Sequence, residues 1–359
     1  MVRSRLVLCP QRGPDSVTVH RFWAAVTGRG QRPIPLDMTA TAPPPLVVRT
    51  ESEVLDAIPT ILGFHPADSV VVLLATPGDG VILTARVDLH ACLGKDNPTQ
   101  PLSAALRRIG WRPDLGAIVV GYGDNTEGVR GVVGAMLAQL PATEIFGAVV
   151  VGDTWWFHDD GPHDPGRSYD PRSSEIGAAA AYAGQSVLGS REDVEATLDP
   201  PGGRRPAGVT AAFKRAKADV SRVPDGSLYR AMDEALDAAL AAGHVDIDQV
   251  ARLAMLARRP AAREAYWQRL DRVSGGGFVR MMTQVVRATP RQLSVPVLCM
   301  LALAAWQSGE GVLLTICLDR AVAISPRHEL VEIVAAISVN MLPPQLWEEM
   351  RSGSDLSAA

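Results

Sequence analysis

From Val54 to Leu62 the apolar residues Val54, Leu55, Ile58, Ile61 and Leu62 fall at helical spacing and lay one stripe along a helix. Thr50 and Glu53 ahead of it have the spacing of a capping box; Pro59 is expected to bend the last turn, and Gly63 and Pro66 to end it. Val70 to Ala75 is apolar without alternation, which predicts a strand covered on both faces. Val81, Leu83, Ala85, Val87 and Leu89 alternate with Ile82, Thr84, Arg86 and Asp88, which predicts a strand with one buried face. Pro77-Gly78-Asp79-Gly80 between the two strands is a turn, so together they form a β-hairpin.

The pattern then switches period repeatedly. Leu102, Ala105, Leu106 and Ile109 predict a helix, 115–120 a strand, Val129 to Leu140 a second apolar helix and 145–151 another strand. Strands alternating with helices imply βαβ crossovers, so the expected fold is an α/β domain whose mixed sheet is largely parallel and edged by the hairpin. The loop Gly121-Tyr122-Gly123-Asp124-Asn125-Thr126-Glu127-Gly128 superficially resembles a phosphate-binding glycine loop. Its second and third glycines are too far apart for a dinucleotide fingerprint, and Asp124 and Glu127 would repel a phosphate, so a βα loop capped by Asn125 or Thr126 is expected.

Short helices are expected at 174–183 and 191–198, followed by a linker, Asp199-Pro200-Pro201-Gly202-Gly203-Arg204-Arg205-Pro206. Beyond it the spacing is helical throughout, near 208–220, 226–242, 246–258, 260–271, 276–288, 295–307, 311–324, 328–340 and 343–351. The expected organisation is an extended or disordered arm over 1–45, of which 1–37 are dispensable, an α/β domain over 46–198, a linker over 199–206, an all-helical domain over 207–351 and a tail over 352–359. Within the helical domain Trp306, Gly309, Leu318, Ala321 and Pro326 match the spacing of one tetratricopeptide helix pair, in which a small residue lets two helices approach closely.

Composition narrows the function. A chain of 359 residues has room for two cores, and a net charge of −4 gives no general attraction to nucleic acid or anionic membrane. Cys9, Cys92, Cys299 and Cys317 lack metal-type spacing, which predicts buried reduced thiols and a cytoplasmic protein. The longest apolar run, Val297 to Trp306, is about half of what a bilayer span needs.

Two places carry candidate chemistry. The hinge Leu62-Gly63-Phe64-His65-Pro66-Ala67-Asp68-Ser69 brings His65, Asp68 and Ser69 to the start of one strand. Antiparallel pairing brings Arg86 and Asp88 to the same end, a candidate pocket at an edge where open α/β sheets hold ligands. The second place is Asp153, Trp155, Trp156 and His158, three consecutive aromatics and a histidine in a chain only 5% aromatic, leading into an Asp- and Gly-rich loop expected to be a solvated hairpin or an Ω-type loop. No catalytic motif, cofactor motif or metal-ligand spacing is present. The sequence therefore favours a non-enzymatic interaction or ligand-binding regulatory protein, with a protein partner on the helical domain. The alternative is an enzyme using His65, Asp68, Arg86 and Asp88.

The segments "LGFHPADSVVVLL", "ARVDLH", "GDTWWFHD", "YDPRSSEIGAAAAYAGQSVLGSRE" and "LALAAWQSGEGVLLTICLDRAVAISP", followed by "MLPPQLW", resemble in order the actinobacterial domain-of-unknown-function family 4192. The resemblance covers roughly Leu46 to Met350 and implies no activity. Members often carry cysteines in the loop after the paired tryptophans, where this chain has Asp159-Asp160-Gly161-Pro162-His163.

Overall fold

The computed structural model describes residues 47–347 except 49, 77–79, 95–96, 110–113, 143, 183–186, 204–206, 272–273 and 345, together with a two-residue strand near the N-terminus. That strand, β1 (Val7–Leu8), pairs in parallel with β2 (Val47–Val48). The rest of the expected N-terminal arm and the C-terminal tail lie outside the described residues, as do Arg204, Arg205 and Pro206 of the expected linker. The chain divides into two compact units, 2–191 and 192–359.

In the first unit, α1 (Glu51–Leu62) begins where the Thr50 hydroxyl accepts the Glu53 N–H. It ends where Gly63, at φ 83°, returns its N–H to the Pro59 carbonyl, so the stop expected at Gly63 is formed as a left-handed cap. The next elements are β3 (Ser69–Thr76), β4 (Gly80–Asp88), the one-turn helix α2 (Leu89–Cys92), α3 (Ser103–Ile109), β5 (Gly116–Tyr122), α4 (Thr126–Leu137), β6 (Glu144–Val151), β7 (Thr154–Phe157), β8 (Arg167–Ser168) and α5 (Glu175–Tyr182).

Six strands form one sheet in the order β4-β3-β5-β6-β7-β8. The sheet is mixed, but the largely parallel arrangement expected from the alternation is not what forms: of its five strand pairs only β5 with β6 is parallel. The chain leaves β4 at the edge and comes back through α2 and α3 to the far side of β3, where β5 runs antiparallel to it. Only β5-α4-β6 is a true crossover. Every residue of β3 and β5 is buried, because helices cover both faces. On one face Val54, Leu55 and Ile58 of α1 pack on Val71, Leu73, Ile118 and Val120. On the other, Gly121 lets α4 lie so close to β5 that a β-carbon there would stand 2.3 Å from a Val129 methyl. The glycine loop after β5 is the capped βα turn expected: the Asn125 carboxamide oxygen accepts the Glu127 and Gly128 N–H groups at 3.1 and 3.2 Å.

The second unit begins with α6 (Arg191–Ala196) and continues through α7 (Val209–Ser221), α8 (Leu228–Ala242), α9 (Ile247–Ala257), α10 (Pro260–Arg269), α11 (Gly275–Ala288), α12 (Val295–Ser308), α13 (Gly311–Val322) and α14 (Glu329–Val339). Among the described residues it contains no strand. Helix α12 is buried on all sides from Val295 to Gln307 and forms the centre of the core. Tyr266 of α10 is fully buried, donates its hydroxyl to the Met300 carbonyl at 2.8 Å and stacks edge-on with Phe278. Trp347 caps the core between Trp267 and Trp306. Arg320 of α13 holds Glu195 at 3.1 Å and Asp199 at 2.8 Å, so the first residues of the expected linker are tied to this unit.

Ala321 is fully buried in α13. The close-approach role expected of Gly309 is not found: Gly309 terminates α12 at φ 77°, and a β-carbon there would meet nothing within 4 Å. Its glycine is a helix stop, not a packing notch.

Candidate functional site

Pairing in the sheet lines up one row of side chains across six strands. Asp88 is opposite Ser69, Ser69 opposite Tyr122, Tyr122 opposite Val150, Val150 opposite Trp155 and Trp155 opposite Arg167. Directly opposed residues point to the same face, so the whole row lies on the side covered by α1. Tyr122 ends β5 and Val150 is one residue from the end of β6, which places the row at the carboxyl ends of the two parallel strands, where open α/β sheets form ligand crevices.

Four of the five candidate pocket residues meet at this edge. Arg86 donates to the Asp88 carboxylate at 2.5 Å and through its second guanidinium nitrogen to the Ala67 carbonyl at 3.3 Å. Asp68 has φ 43°, a left-handed conformation that a short polar side chain tolerates, and its carbonyl accepts the Leu89 N–H at 2.9 Å. The turn therefore locks the start of β3 to the end of β4. Ser69 is fully buried beside it. His65 is set one step back: its N–H donates to the Leu188 carbonyl at 3.0 Å, and the Leu188 N–H donates to Gly63. Burial, with the Arg172 guanidinium adding to it, lowers the His65 pKa from its ordinary value.

A second group on the same face is centred on Asp56 of α1. Its carboxyl is pushed up to about 6, first by burial, against the hydrogen bond from Ser174 and with help from the negative charges of Glu53 and Asp170. Ser174 in turn accepts the Gly177 N–H at 3.1 Å at the start of α5. Tyr169 and Tyr122 lie beside one another and beside Asp56; burial raises both phenols, and Asp56 raises them further. The Tyr169 N–H is anchored to the Asp153 carbonyl at 2.7 Å.

Among the described residues six buried side-chain polar atoms lack a well-aligned hydrogen-bond partner, and four of them belong to this sheet unit: Thr60 Oγ1, Ser69 Oγ, Arg86 Nε and Tyr122 Oη, the last of which still meets the Tyr169 hydroxyl. Ser69 and Tyr122 are paired across strands, Arg86 is one row away, and Thr60 is one helical turn beyond Asp56. Buried hydroxyls are rarely left without partners, since each costs about 1–3 kcal/mol.

A family model described as Domain of unknown function (DUF4192) matches residues 52–345. The chain belongs to the DUF4192 family. No curated protein and no solved structure matches it. The DUF4192 match spans both units and includes the hinge, the row at the sheet edge and the Tyr169–Ser174 turn.

The candidate loop of this DUF4192 chain is a hairpin held by its own side chains. Trp155 is buried on the α1 face, and Arg167 lies over the Trp155 and Phe157 rings at 5.0 and 4.5 Å while bridging to Asp160 at 2.7 Å. Trp156 donates its indole N–H to the Asp164 carbonyl at 2.9 Å. The His158 N–H donates to Gly147, and its ring lies where a β-carbon of residue 147 would be, 2.6 Å from Nδ1. These contacts fix β6, β7 and β8. Among the described residues no group of three or more His, Cys, Asp or Glu side chains is placed to hold a metal ion, and no helix is long and apolar enough to cross a membrane.

Reading of the sequence missed Asp56, Tyr122, Tyr169 and Ser174 as a group. The available signals were a lone carboxylate one residue from the apolar stripe of α1, and a tyrosine opening the motif Tyr169-Asp170-Pro171-Arg172.

Proposed function

We propose that this DUF4192 protein is a non-enzymatic, ligand-binding regulatory protein that takes a small polar molecule at the carboxyl edge of β5 and β6. The observation that carries this is the fully buried Ser69 hydroxyl, which has no hydrogen-bond partner and stands opposite Tyr122 across two adjacent strands. A polar molecule seated there would supply partners that the chain does not. The enzyme alternative at His65, Asp68, Arg86 and Asp88 has less support, because Arg86 and Asp88 satisfy one another and the Ala67 carbonyl takes the second guanidinium nitrogen. The helical unit enters as the surface that a protein partner would contact, supported by the exposed Val322, Ile333 and Val339 on α13 and α14. A cytoplasmic setting fits the described cysteines Cys92, Cys299 and Cys317, all free and buried.

The test is a thermal-shift screen of polar metabolites against the whole chain, repeated on Ser69→Ala and Tyr122→Phe. A ligand at a hundred times its dissociation constant adds about 2.7 kcal/mol of stability. The expected result is a compound whose shift is lost in both variants. A crystal structure with only ordered water between Ser69 and Tyr122, together with no shifting compound, would overturn the proposal.

A further inference from the structure

The two edges of the six-stranded sheet are unlike. At one edge β8 is two residues long, whereas at the other β4 runs nine residues and has β3 as its only strand neighbour. The Leu89 N–H donates to the Asp68 carbonyl at 2.9 Å, one step beyond the Ser69 and Asp88 pair of the β3 and β4 register. Bonded and non-bonded pairs alternate along an antiparallel ladder, so Leu83, Ala85 and Val87 turn their backbone groups toward β3, while Thr84, Arg86 and Asp88 turn theirs outward. Among the described residues no backbone group meets that outward row. Edge strands are commonly protected by bulges and by charge. Here the bulge is confined to one end, where Ile82 is the extra residue between the pairing of Leu74 with Leu83 and that of Ala75 with Val81. The Arg86 charge is folded back onto Asp88 and the Ala67 carbonyl. From Leu83 to Asp88 the strand is therefore a regular, open edge without net charge.

We propose that β4 is a dimer interface, where a second copy of the chain adds its own β4 antiparallel about Ala85 and joins the two sheets into one. A copy has one edge of matching length to offer, β4 itself, and pairing that strand with itself closes a two-fold that propagates no further. Centring on Ala85 sets Thr84 opposite Arg86 of the second copy, and Arg86 opposite its Thr84, so the outward backbone groups exchange hydrogen bonds. On the face covered by α4, Leu83 meets Val87 of the second copy and Ala85 meets its counterpart, apolar against apolar. Leu83 is only half-buried, and the pairing gives it the cover that Ala85 and Val87, at 8% and 9% exposed, already have. Centring on Arg86 instead would oppose two guanidinium groups, and centring on Thr84 would set the bulged Ile82 against Arg86. The strand thus matches its own copy in hydrogen bonding, apolar face and charge, a match that an unrelated extended segment would have to reproduce. This interface stands apart from the ligand reading above and holds whether or not a ligand binds beside β5 and β6.

The test is sedimentation velocity of the whole chain over a wide range of concentration, with three variants. The parent chain should reach the mass of two chains. Ala85→Cys, oxidised with glutathione disulfide, should form a covalent dimer that the parent does not, because α-carbons of a non-bonded antiparallel pair lie about 4.5 Å apart, within disulfide reach. Thr84→Pro removes an outward N–H while leaving the ladder to β3 intact, and Thr84→Lys sets a cation opposite Arg86 of the second copy. Both should lose the dimer and keep the parent's circular dichroism. Should Thr84→Pro not fold, Thr84→Lys carries the test alone, since Thr84 is exposed. A parent chain that is monomeric at every concentration overturns the proposal, including the case in which the edge takes a segment of another protein. A dimer that survives in the folded Thr84 variants, or that Ala85→Cys does not cross-link, would mean that two copies meet elsewhere and overturns it equally.

Discussion

Burial in the fold changes the chemistry of Asp56. Because its pKa rises from 3.8 to about 6, the folded protein holds a proton that the unfolded chain has lost between those two values. Stability from this group is therefore present at low pH and is lost as pH rises from about 4 to about 6. Asp56→Asn, which cannot ionise, should flatten that part of the stability profile and raise the melting temperature at pH 7.5, as measured by calorimetry from pH 4 to 8. An unchanged profile would mean that the carboxyl is better solvated than its neighbours imply. At this scale the sequence was only half informative. Asp68, Ser69, Arg86 and Asp88 could be placed together because a hairpin register is local and the intervening turn is short. Asp56 and Tyr169 lie 113 residues apart (169 − 56) and meet only through the strand order, which periodicity does not encode.

Among elements, the helices were the more legible. The stripes and caps of α7 to α14 gave boundaries within about two residues, since a helix closes its own hydrogen bonds and needs only one buried face to be recognised. Strand existence was legible for the same reason, but pairing was not. The apolar runs of β3 and β5 suit parallel or antiparallel neighbours equally well once both faces are covered. The pair α12 and α13 offers a direct check of packing against capping. Ala321→Glu would force a charge into the fully buried side of α13 and should cost several kcal/mol, or about enough to unfold the unit. Gly309→Ala meets open space and should cost only about 1 kcal/mol, from the left-handed backbone alone. Chemical denaturation would rank the two, and a larger loss at Gly309 would restore it as a packing residue.

At the scale of the molecule, the two units differ in how far the chain must travel to make their cores. Helix α12 is flanked in sequence by partners on both sides, and it reaches α13 across only Gly309 and Glu310. The central strand β3 instead waits for β5, with Ser69 and Tyr122 separated by 53 residues (122 − 69). Closing a long loop before any contact repays it slows folding, and helical domains commonly form in microseconds to milliseconds where β-rich ones take up to seconds. Refolding should therefore show two phases, with tryptophan signals from Trp267, Trp306 and Trp347 recovering before those from Trp155 and Trp156. Stopped-flow fluorescence on single-tryptophan variants would separate them, and coincident phases would mean that the units fold as one. During synthesis the order of emergence opposes the order of speed: the sheet unit leaves the ribosome first yet is the slower to form. For that interval the long apolar strands β3 and β5 are without partners, making this the period when the newborn chain most needs protection from aggregation.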